Sequence, residues 1–384
     1  MSTDAFPAHL MSYLASPSHL MVHFVLRHSV TIATPSPASS LSAVLSSPRR
    51  TAHKFTYWLM QPVKLLTDST MIEKFQRMGM PPGYEIVWFN LDPTSDIVAI
   101  GLDNQGRKQY RYSQKAVDDH AHEKFTRLSG FIDVVPQIRQ DVNKILKTRS
   151  LMYTSPEWVT ALAIKLMDVG HFRIGSEQYR DEHESFGVSN LMPKHFHVQK
   201  GGKTLFVSFK GKSGVRNMLH LQIKDHPFTQ HLIQLKELAE KYGVNNIFHW
   251  FSIDENDTVK NLRPDMINSF LARYGSYSAK DWRTYAANFE LMTRIVLFLA
   301  HPDSMHITLK ERKVALKHAV IEVADLLHHT PSNCKKSYMY PAITDLYLNN
   351  LSALDHIYKV KASRSIDKTI QYILDHMSER KGRK

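Results

Sequence analysis

Short runs of apolar, aromatic and β-branched side chains predict β-strands in the part of the chain that follows residue 55. Residues 84–89 are aromatic and β-branched, and residues 97–102 form a second apolar run. The Asp-Asn-Gln-Gly sequence at 103–106 is typical of a hairpin turn, after which residues 107–112 form the next strand. These short runs and their turn predict a small antiparallel β domain.

The strand at 107–112 has aromatic and basic side chains on one side. Because successive side chains of a strand alternate between its faces, Lys108, Tyr110 and Tyr112 share a face. Such a face suits contact with nucleic-acid bases and phosphates. Exposed Tyr and Lys are also common on solvated strands, so this pattern alone is a weak indication of DNA binding.

Helical periodicity dominates the C-terminal two thirds of the chain. Ser155 is a typical N-cap, and the apolar stripe that follows it ends at Gly170. Residues 195–199 and 204–210 predict a β-hairpin, and residues 314–327 predict a strongly apolar helix. The predicted fold class is therefore α+β, a small antiparallel β domain followed by a larger, mainly helical domain that contains a hairpin.

Three segments are expected along the chain: an extension over 1–55, the β domain over 56–117 and the helical domain over 118–384. The extension is rich in Ser, Ala and Pro, and no acidic residue occurs between Asp4 and Asp68. This composition is that of an organellar transit peptide. A disordered extension, or translation from upstream of the true start, also explains this composition, and we favour that interpretation over a transit peptide.

Charge and cysteine content narrow the possible functions. The chain has 49 Lys and Arg against 36 Asp and Glu, a formal net charge of +13, which favours a polyanionic partner such as nucleic acid. The single cysteine, Cys334, excludes an intramolecular disulfide and a cysteine-based zinc site, and an intracellular location fits. No apolar run approaches the roughly 20 residues of a membrane-spanning helix, so we expect no membrane partner.

Two glycine-lysine sequences resemble the end of a phosphate-binding P-loop, but both lack its first glycine. His197 precedes the sequence at 202–204 where that glycine is required, and Phe206 precedes the one at 211–213. Neither supports ATP binding. The 22 histidines include no His-Glu-x-x-His helix. We therefore expect no metal site and no cofactor.

Four short segments of the sequence supply the groups that metal-free transesterification at a phosphodiester needs. Two guanidinium groups, Arg173 and Arg283, can clamp the non-bridging oxygens of one phosphate. His329 can add a hydrogen bond. Lys212 follows a hairpin strand and is a natural general acid for the leaving oxygen, and Tyr338 is the candidate nucleophile. Taken singly, each of these residues has an ordinary structural explanation, such as a solvated charge or a helix cap.

Together these segments resemble the poxvirus-type subfamily of type IB DNA topoisomerases, over residues 56–347. The family's catalytic blocks occur in order as Arg173-Ile174-Gly175, Phe209-Lys210-Gly211-Lys212, Lys280-Asp281-Trp282-Arg283-Thr284-Tyr285, and the run from His329-Thr330-Pro331-Ser332 to Tyr338. The resemblance implies catalytic roles for Arg173, Lys212, Arg283, His329 and Tyr338. It implies DNA contacts through Lys108, Gln109, Tyr110, Tyr112, Tyr179, Lys194, His195 and Lys280.

The resemblance further implies a C-shaped monomeric clamp around duplex DNA. In this family the tyrosine forms a 3′-phosphotyrosyl bond, the nicked duplex rotates, and the freed 5′-OH reseals the strand without ATP or metal. The compartment stays open between nucleus, virus factory or virion, and an organelle if the extension is a transit peptide.

Two alternatives remain. A tyrosine site-specific recombinase resembles this core and uses the same chemistry, but usually has histidine three residues before the second arginine, where this chain has Lys280. A non-catalytic DNA-binding or architectural protein would also be basic. It would not form a covalent adduct with DNA, which separates it from both enzymes.

Overall fold

The computed structural model describes residues 24–33, 51–60, 63–84, 86–199, 201–223, 227–252 and 258–377. The chain divides into two compact units, Met1–His122 and Glu123–Lys384. Among the described residues, no helix combines the length and apolar character needed to cross a bilayer.

The first unit is built on a six-stranded antiparallel sheet with the order β3-β2-β1-β4-β5-β6. Its strands are β1 Phe24–Ala33, β2 Thr51–Met60, β3 Val63–Leu65, β4 Ile86–Asn90, β5 Ile97–Leu102 and β6 Lys108–Tyr112. Helix α1, Ser69–Arg77, begins at the N-cap Asp68, whose carboxylate accepts from two backbone amides. Its buried Phe75 stacks on Phe89 with ring centroids 4.8 Å apart. The strand predicted at 97–102 is confirmed.

The structure places part of the extension expected over residues 1–55 in the first sheet, as strand β1. Phe24–Ala33 pairs with β2 on one side and with β4 on the other, so it lies inside the sheet. The Ser, Ala and Pro content of the whole segment hid a short β-branched run, and its partners come later in the chain. Residues 51–55 of the predicted extension belong to β2, and residues 1–23 and 34–50 lie outside the described residues.

Arg27 ties β1 to the turn that precedes β4. It is buried, with 5% of its surface exposed, and it donates to the carbonyl oxygens of Met80, Pro81 and Tyr84 at 3.4, 2.9 and 3.2 Å. Burial lowers the pKa of Arg27. An arginine that composition alone assigns to a targeting segment is thus a structural donor of the sheet.

Replacing Arg27 with alanine is expected to destabilise the chain by roughly 2 kcal/mol or more, because buried carbonyl groups lose their donor. Thermal unfolding of the full chain measures this. Arg77→Ala is the matched control, since its side chain is 81% exposed and its loss should cost at most about 0.5 kcal/mol. Equal unfolding temperatures for the two variants would contradict a structural role for Arg27.

The second unit is mainly helical and carries a three-stranded sheet and a two-stranded one. Its helices are α2 Gln114–Lys147, which begins in the first unit, α3 Pro156–Gly170, α4 Glu177–His183, α5 Pro227–Tyr242, α6 Pro264–Leu271, α7 Ala279–Leu299, α8 Leu309–Leu326, α9 Pro331–Ser337, α10 Pro341–Asn349, α11 Leu351–His356 and α12 Ile366–Met377. Its strands are β7 Phe196–Val198, β8 Thr204–Lys210, β9 Arg216–Gln222, β10 His249–Ser252 and β11 Thr258–Asn261.

The predicted helix after Ser155 is confirmed, with the Ser155 hydroxyl accepting from backbone amides of the first turn. The predicted hairpin is also present, but a third strand, β9, extends it. Helix α8 begins before the predicted residue 314, because Thr308 and Glu311 form a capping box. The predicted α+β class is confirmed, and helix α7 provides the buried centre of this unit.

Helix α7 has large buried side chains on several sides. Trp282 and Tyr285 are each 1% exposed and meet the ring of Phe131 edge-on, at centroid distances of 5.7 and 6.1 Å. The N-terminus of α7 is fixed by Asp281, which accepts from Ser278 and forms an ion pair with Arg127 at 2.8 Å. This packing fixes the side chains of the first turns of α7.

Candidate active site

Arg173 is placed by the end of α3 and by a close backbone crossing. His171 adopts a left-handed conformation with φ of 50° and ends the helix. Two residues later, the Arg173 carbonyl accepts from the amide of the residue after Gly187 at 2.8 Å. Gly175 and Gly187 touch backbone to backbone, and a Cβ on Gly187 would overlap Gly175. This crossing therefore requires glycine at 175, which is part of the first sequence motif, and at 187.

Arg283, in the first turns of α7, is 5% exposed. Its guanidinium donates to the carbonyl of His171 and, at 2.6 Å, to that of Leu327. These two carbonyls end α3 and α8, so Arg283 joins three helices. Burial, followed by the charge of Arg173, lowers the pKa of Arg283 to about 10. It stays a cation at neutral pH.

His329 lies between the two arginines. Arg173 Nη2 is 3.1 Å from its Nδ1, and Arg283 Nη2 is 2.6 Å from its Nε2. Burial, then the charges of Arg283 and Arg173, lowers the pKa of His329 to about 3. The imidazole is therefore neutral near pH 7 and bears a single N–H.

Tyr338 ends α9 and faces this cluster. Its ring centroid is 4.7 Å from that of His329, and the Arg283 guanidinium carbon is 5.8 Å from its ring centroid. The side chain is half-buried. The phenol of Tyr338 therefore lies beside the imidazole of His329 and the guanidinium of Arg283.

Asn288 holds the backbone on both sides of Tyr338, a role that the sequence did not predict. Its Nδ2 donates to the Tyr338 carbonyl at 2.9 Å, and its Oδ1 accepts from the Tyr340 amide at 2.7 Å. Asn288 is fully buried. A polar residue within the apolar stripe of α7 was the only signal for it.

Lys212 occupies the turn between β8 and β9 and is exposed. It lines a cleft of about 320 Å³, and its charge contributes to the lowered pKa of His329. The cleft is lined by Arg173, Ile174, Gly175, Ser176, Ser185, Phe186, Lys212, Ala279, Lys280, Arg283 and Tyr338. With His329 behind the arginines, the structure brings together all five residues of the predicted reactive set.

The predicted DNA contacts of the second unit include two exposed lysines and one buried histidine. Lys280 lines the cleft, and Lys194 is exposed with its ammonium 5.8 Å from the Phe186 ring centroid. His195 is instead 6% exposed, and its Nδ1 accepts from the Met192 amide at 3.0 Å. Its geometry favours a packing role in the hairpin. The side chain of Tyr179, on α4, lies outside the described residues.

In the first unit, the residues predicted to contact DNA lie on β6. Tyr110 and Tyr112 are 48% and 40% exposed, with ring centroids 6.4 Å apart. Lys108 is exposed as well. Gln109 donates through Nε2 to Asp103 at 2.9 Å, which orients its amide. The shared face predicted for the two tyrosines is therefore present and open.

Histidines with lowered pKa predict a loss of stability in mild acid. The pKa of His329 is about 3 and that of His195 about 4 when folded, against an ordinary value of 6.5. The unfolded chain therefore binds more protons as the pH falls below 6.5, and stability present above 6.5 is lost towards pH 4. We expect a lower unfolding temperature at pH 5 than at pH 7, and a smaller difference for His195→Phe. A pH-independent unfolding temperature would contradict this.

Among the residues that the structure describes, no group of three or more His, Cys, Asp or Glu side chains could hold a metal ion.

Comparison with known proteins matches this site to one family. Residues 111–361 match the family described as eukaryotic DNA topoisomerase I, catalytic core. A DNA topoisomerase 1B of Acanthamoeba polyphaga mimivirus is 30% identical over 308 residues, covering 78% of this chain and 87% of that protein. The DNA topoisomerase 1B of Vaccinia virus (strain Copenhagen) is 22% identical over 321 residues, covering 84% of this chain and 90% of that protein. The chain therefore belongs to the type IB DNA topoisomerases.

Proposed function

We propose that this chain relaxes supercoiled duplex DNA by cutting one strand, allowing rotation, and rejoining that strand. The observation that carries the proposal is the cluster of Arg173, Arg283 and His329 around a single point beside Tyr338. Arg173, Arg283 and Tyr338 line one cleft, and His329 contacts both arginines, an arrangement that suits attack on a phosphodiester.

In the cleavage step, Tyr338 Oη attacks the scissile phosphorus. The bond from Oη to phosphorus forms and the bond from phosphorus to the 5′ oxygen breaks, leaving a 3′-phosphotyrosyl link. The phenolic proton passes to solvent. Arg173 and Arg283 bind the non-bridging oxygens, on which charge increases in the transition state, and the His329 N–H donates to one of them.

Lys212 is the general acid that gives its ammonium proton to the leaving 5′ oxygen. Religation reverses the sequence: the 5′-OH attacks, Lys212 takes its proton back, and Tyr338 departs. The phosphotyrosine conserves the energy of the broken bond, so ATP is not consumed. The cationic side chains neutralise the phosphate charge that a metal ion neutralises in metal-dependent nucleases. We therefore expect turnover without added metal.

One copy of the chain would bind the duplex, with contacts from each unit. The exposed face of β6, with Lys108, Tyr110 and Tyr112, supplies phosphate and base contacts from the first unit. Gln109 is available beside them. Lys194 and Lys280, both exposed, supply phosphate contacts next to the cleft. The protein would thus be DNA-associated wherever it is located.

Trapping the covalent intermediate tests this proposal. Plasmid incubated with the protein and stopped with SDS should yield protein linked to the 3′ end of a nick, and the other end should carry a 5′-OH that polynucleotide kinase can label directly. Linkage to a 5′ phosphate would overturn the polarity. DNA binding without any adduct would favour an architectural protein instead.

A further inference from the structure

Lys212 lies on a turn whose base is closed by a hydrogen bond and whose tip is open at Gly214. At the base, the Gly211 amide donates to the Val215 carbonyl at 2.7 Å, which closes the turn. At the tip, Ser213 adopts a left-handed conformation with φ of 60°, and a Cβ on Gly214 would meet nothing within 4 Å. The hydrogen bond between Gly211 and Val215 therefore closes the turn that bears Lys212, and the turn is open at Gly214.

Asn217, on β9, fills the inside of this base. It is 5% exposed, and its Nδ2 donates to the Val215 carbonyl at 2.9 Å. That carbonyl is the one that also accepts from Gly211. Asn217 therefore holds the oxygen that closes the Lys212 turn.

Asn217 also packs directly against Gly211. A Cβ on Gly211 would overlap the Asn217 amide nitrogen, and would come within 3.3 Å of the Val215 carbonyl oxygen. The φ of Gly211 is −95°, which any residue can adopt. Gly211 is therefore needed for the space that it leaves to Asn217 and not for its backbone conformation.

The base of the turn is linked to the segment that bears Arg173. The Lys210 carbonyl accepts from the Phe186 amide at 2.8 Å. Phe186 precedes Gly187, which touches Gly175 in the crossing that positions Arg173. The backbone at the base of the turn thus positions Lys212 relative to Arg173, one of the two arginines proposed to bind the phosphate.

We propose that Asn217 is a positioning residue for Lys212. Its hydrogen bond to the Val215 carbonyl and its packing against Gly211 align the general acid with the leaving 5′ oxygen. This inference rests on the proposed function, in which Lys212 is the acid. Because a displacement of about 1 Å in a reacting group can cost about 10²-fold in rate, a loosened turn should slow proton donation. It should not affect attack by Tyr338 or binding of the phosphate.

A leaving-group substitution separates these effects. The cleavage site is first mapped on a plasmid and placed in a short duplex whose scissile 5′ oxygen is either retained or replaced by sulfur. Sulfur departs as a thiolate and needs no acid. Single-turnover cleavage by Asn217→Ala should be slowed about tenfold or more on the oxygen substrate and unchanged on the sulfur substrate.

The matched control is Ser208→Ala, which removes a different hydrogen bond of the same hairpin, from Arg216 Nε to Ser208 Oγ at 3.0 Å. It should cleave both substrates at the normal rate. If Asn217→Ala does not fold, Asn217→Leu is measured in its place, since it fills the space without donating to Val215. Equal slowing on both substrates, or no slowing on either, would overturn the proposal.

Lys212→Ala is measured alongside. If sulfur fails to rescue that variant, the acid role of Lys212 itself is wrong, whatever Asn217 does. If sulfur rescues Lys212→Ala but not Asn217→Ala, only the positioning role fails.

Discussion

Replacing Tyr338 with phenylalanine is expected to abolish plasmid relaxation while duplex binding persists. The substitution removes only the nucleophilic oxygen, without which no phosphotyrosyl bond can form. The ring would keep its position, because Asn288 grips the backbone of residues 338 and 340 and makes no bond to the Tyr338 side chain. Relaxation is followed by gel electrophoresis, and binding by a mobility shift at low salt.

Tyr340→Phe is the matched control for this experiment. Tyr340 is 7% exposed and packs on Phe125 at a ring centroid distance of 4.6 Å, so its hydroxyl lies outside the proposed chemistry. This variant should relax plasmid normally. A Tyr338→Phe protein that turns over at the normal rate would remove the nucleophile from the mechanism.

Replacing Lys212 with alanine is expected to slow cleavage by about 10²- to 10⁴-fold, the usual contribution of a general acid. The 5′ oxygen would then leave as a poorly stabilised alkoxide. A substrate with sulfur at this position should restore a nearly normal rate, because its thiolate leaves without a proton. Single-turnover cleavage of the two substrates measures the rescue.

Lys210→Ala is the corresponding control. Lys210 is the last residue of β8, the strand that precedes the turn bearing Lys212. Its ammonium is 4.0 Å from Glu184 in an exposed ion pair, which contributes little to stability. This variant should cleave both substrates at normal rates. A Lys212→Ala protein that cleaves the oxygen substrate normally would show that the proton comes from another group.

The reactive set could be predicted because its chemistry depends on residue type. Arg173, Arg283 and Tyr338 each bear a group that few other residues can replace, and each lies in a short block with recognisable neighbours. Their convergence depends on where α3, α8 and α9 end. The sequence marks the end of α3 with Gly170 and the start of α9 with Pro331.

The supporting residues could not be predicted in the same way. Asn288 and Asn217 act through hydrogen bonds to backbone atoms, which any sequence supplies, so no motif identifies their partners. His195 shows the reverse case. Its neighbourhood suggested DNA contact, but the fold uses its ring to accept from Met192 and to pack on Phe186.

Strand β1 was missed for a similar reason. Helix periodicity is local and can be read within one segment, whereas an interior strand is defined by its pairing. Leu26 lies opposite Trp58 and Trp88, residues 32 and 62 positions further along the chain. Composition over the whole segment 1–55 outweighed the short apolar run.

Relaxation of supercoiled plasmid by the purified chain, with EDTA present and ATP absent, tests the central claim most directly. The account predicts relaxation through a ladder of topoisomers, since strand rotation at a phosphotyrosyl nick consumes no ATP and uses cationic side chains in place of metal. Bound DNA that remains fully supercoiled under these conditions would contradict it.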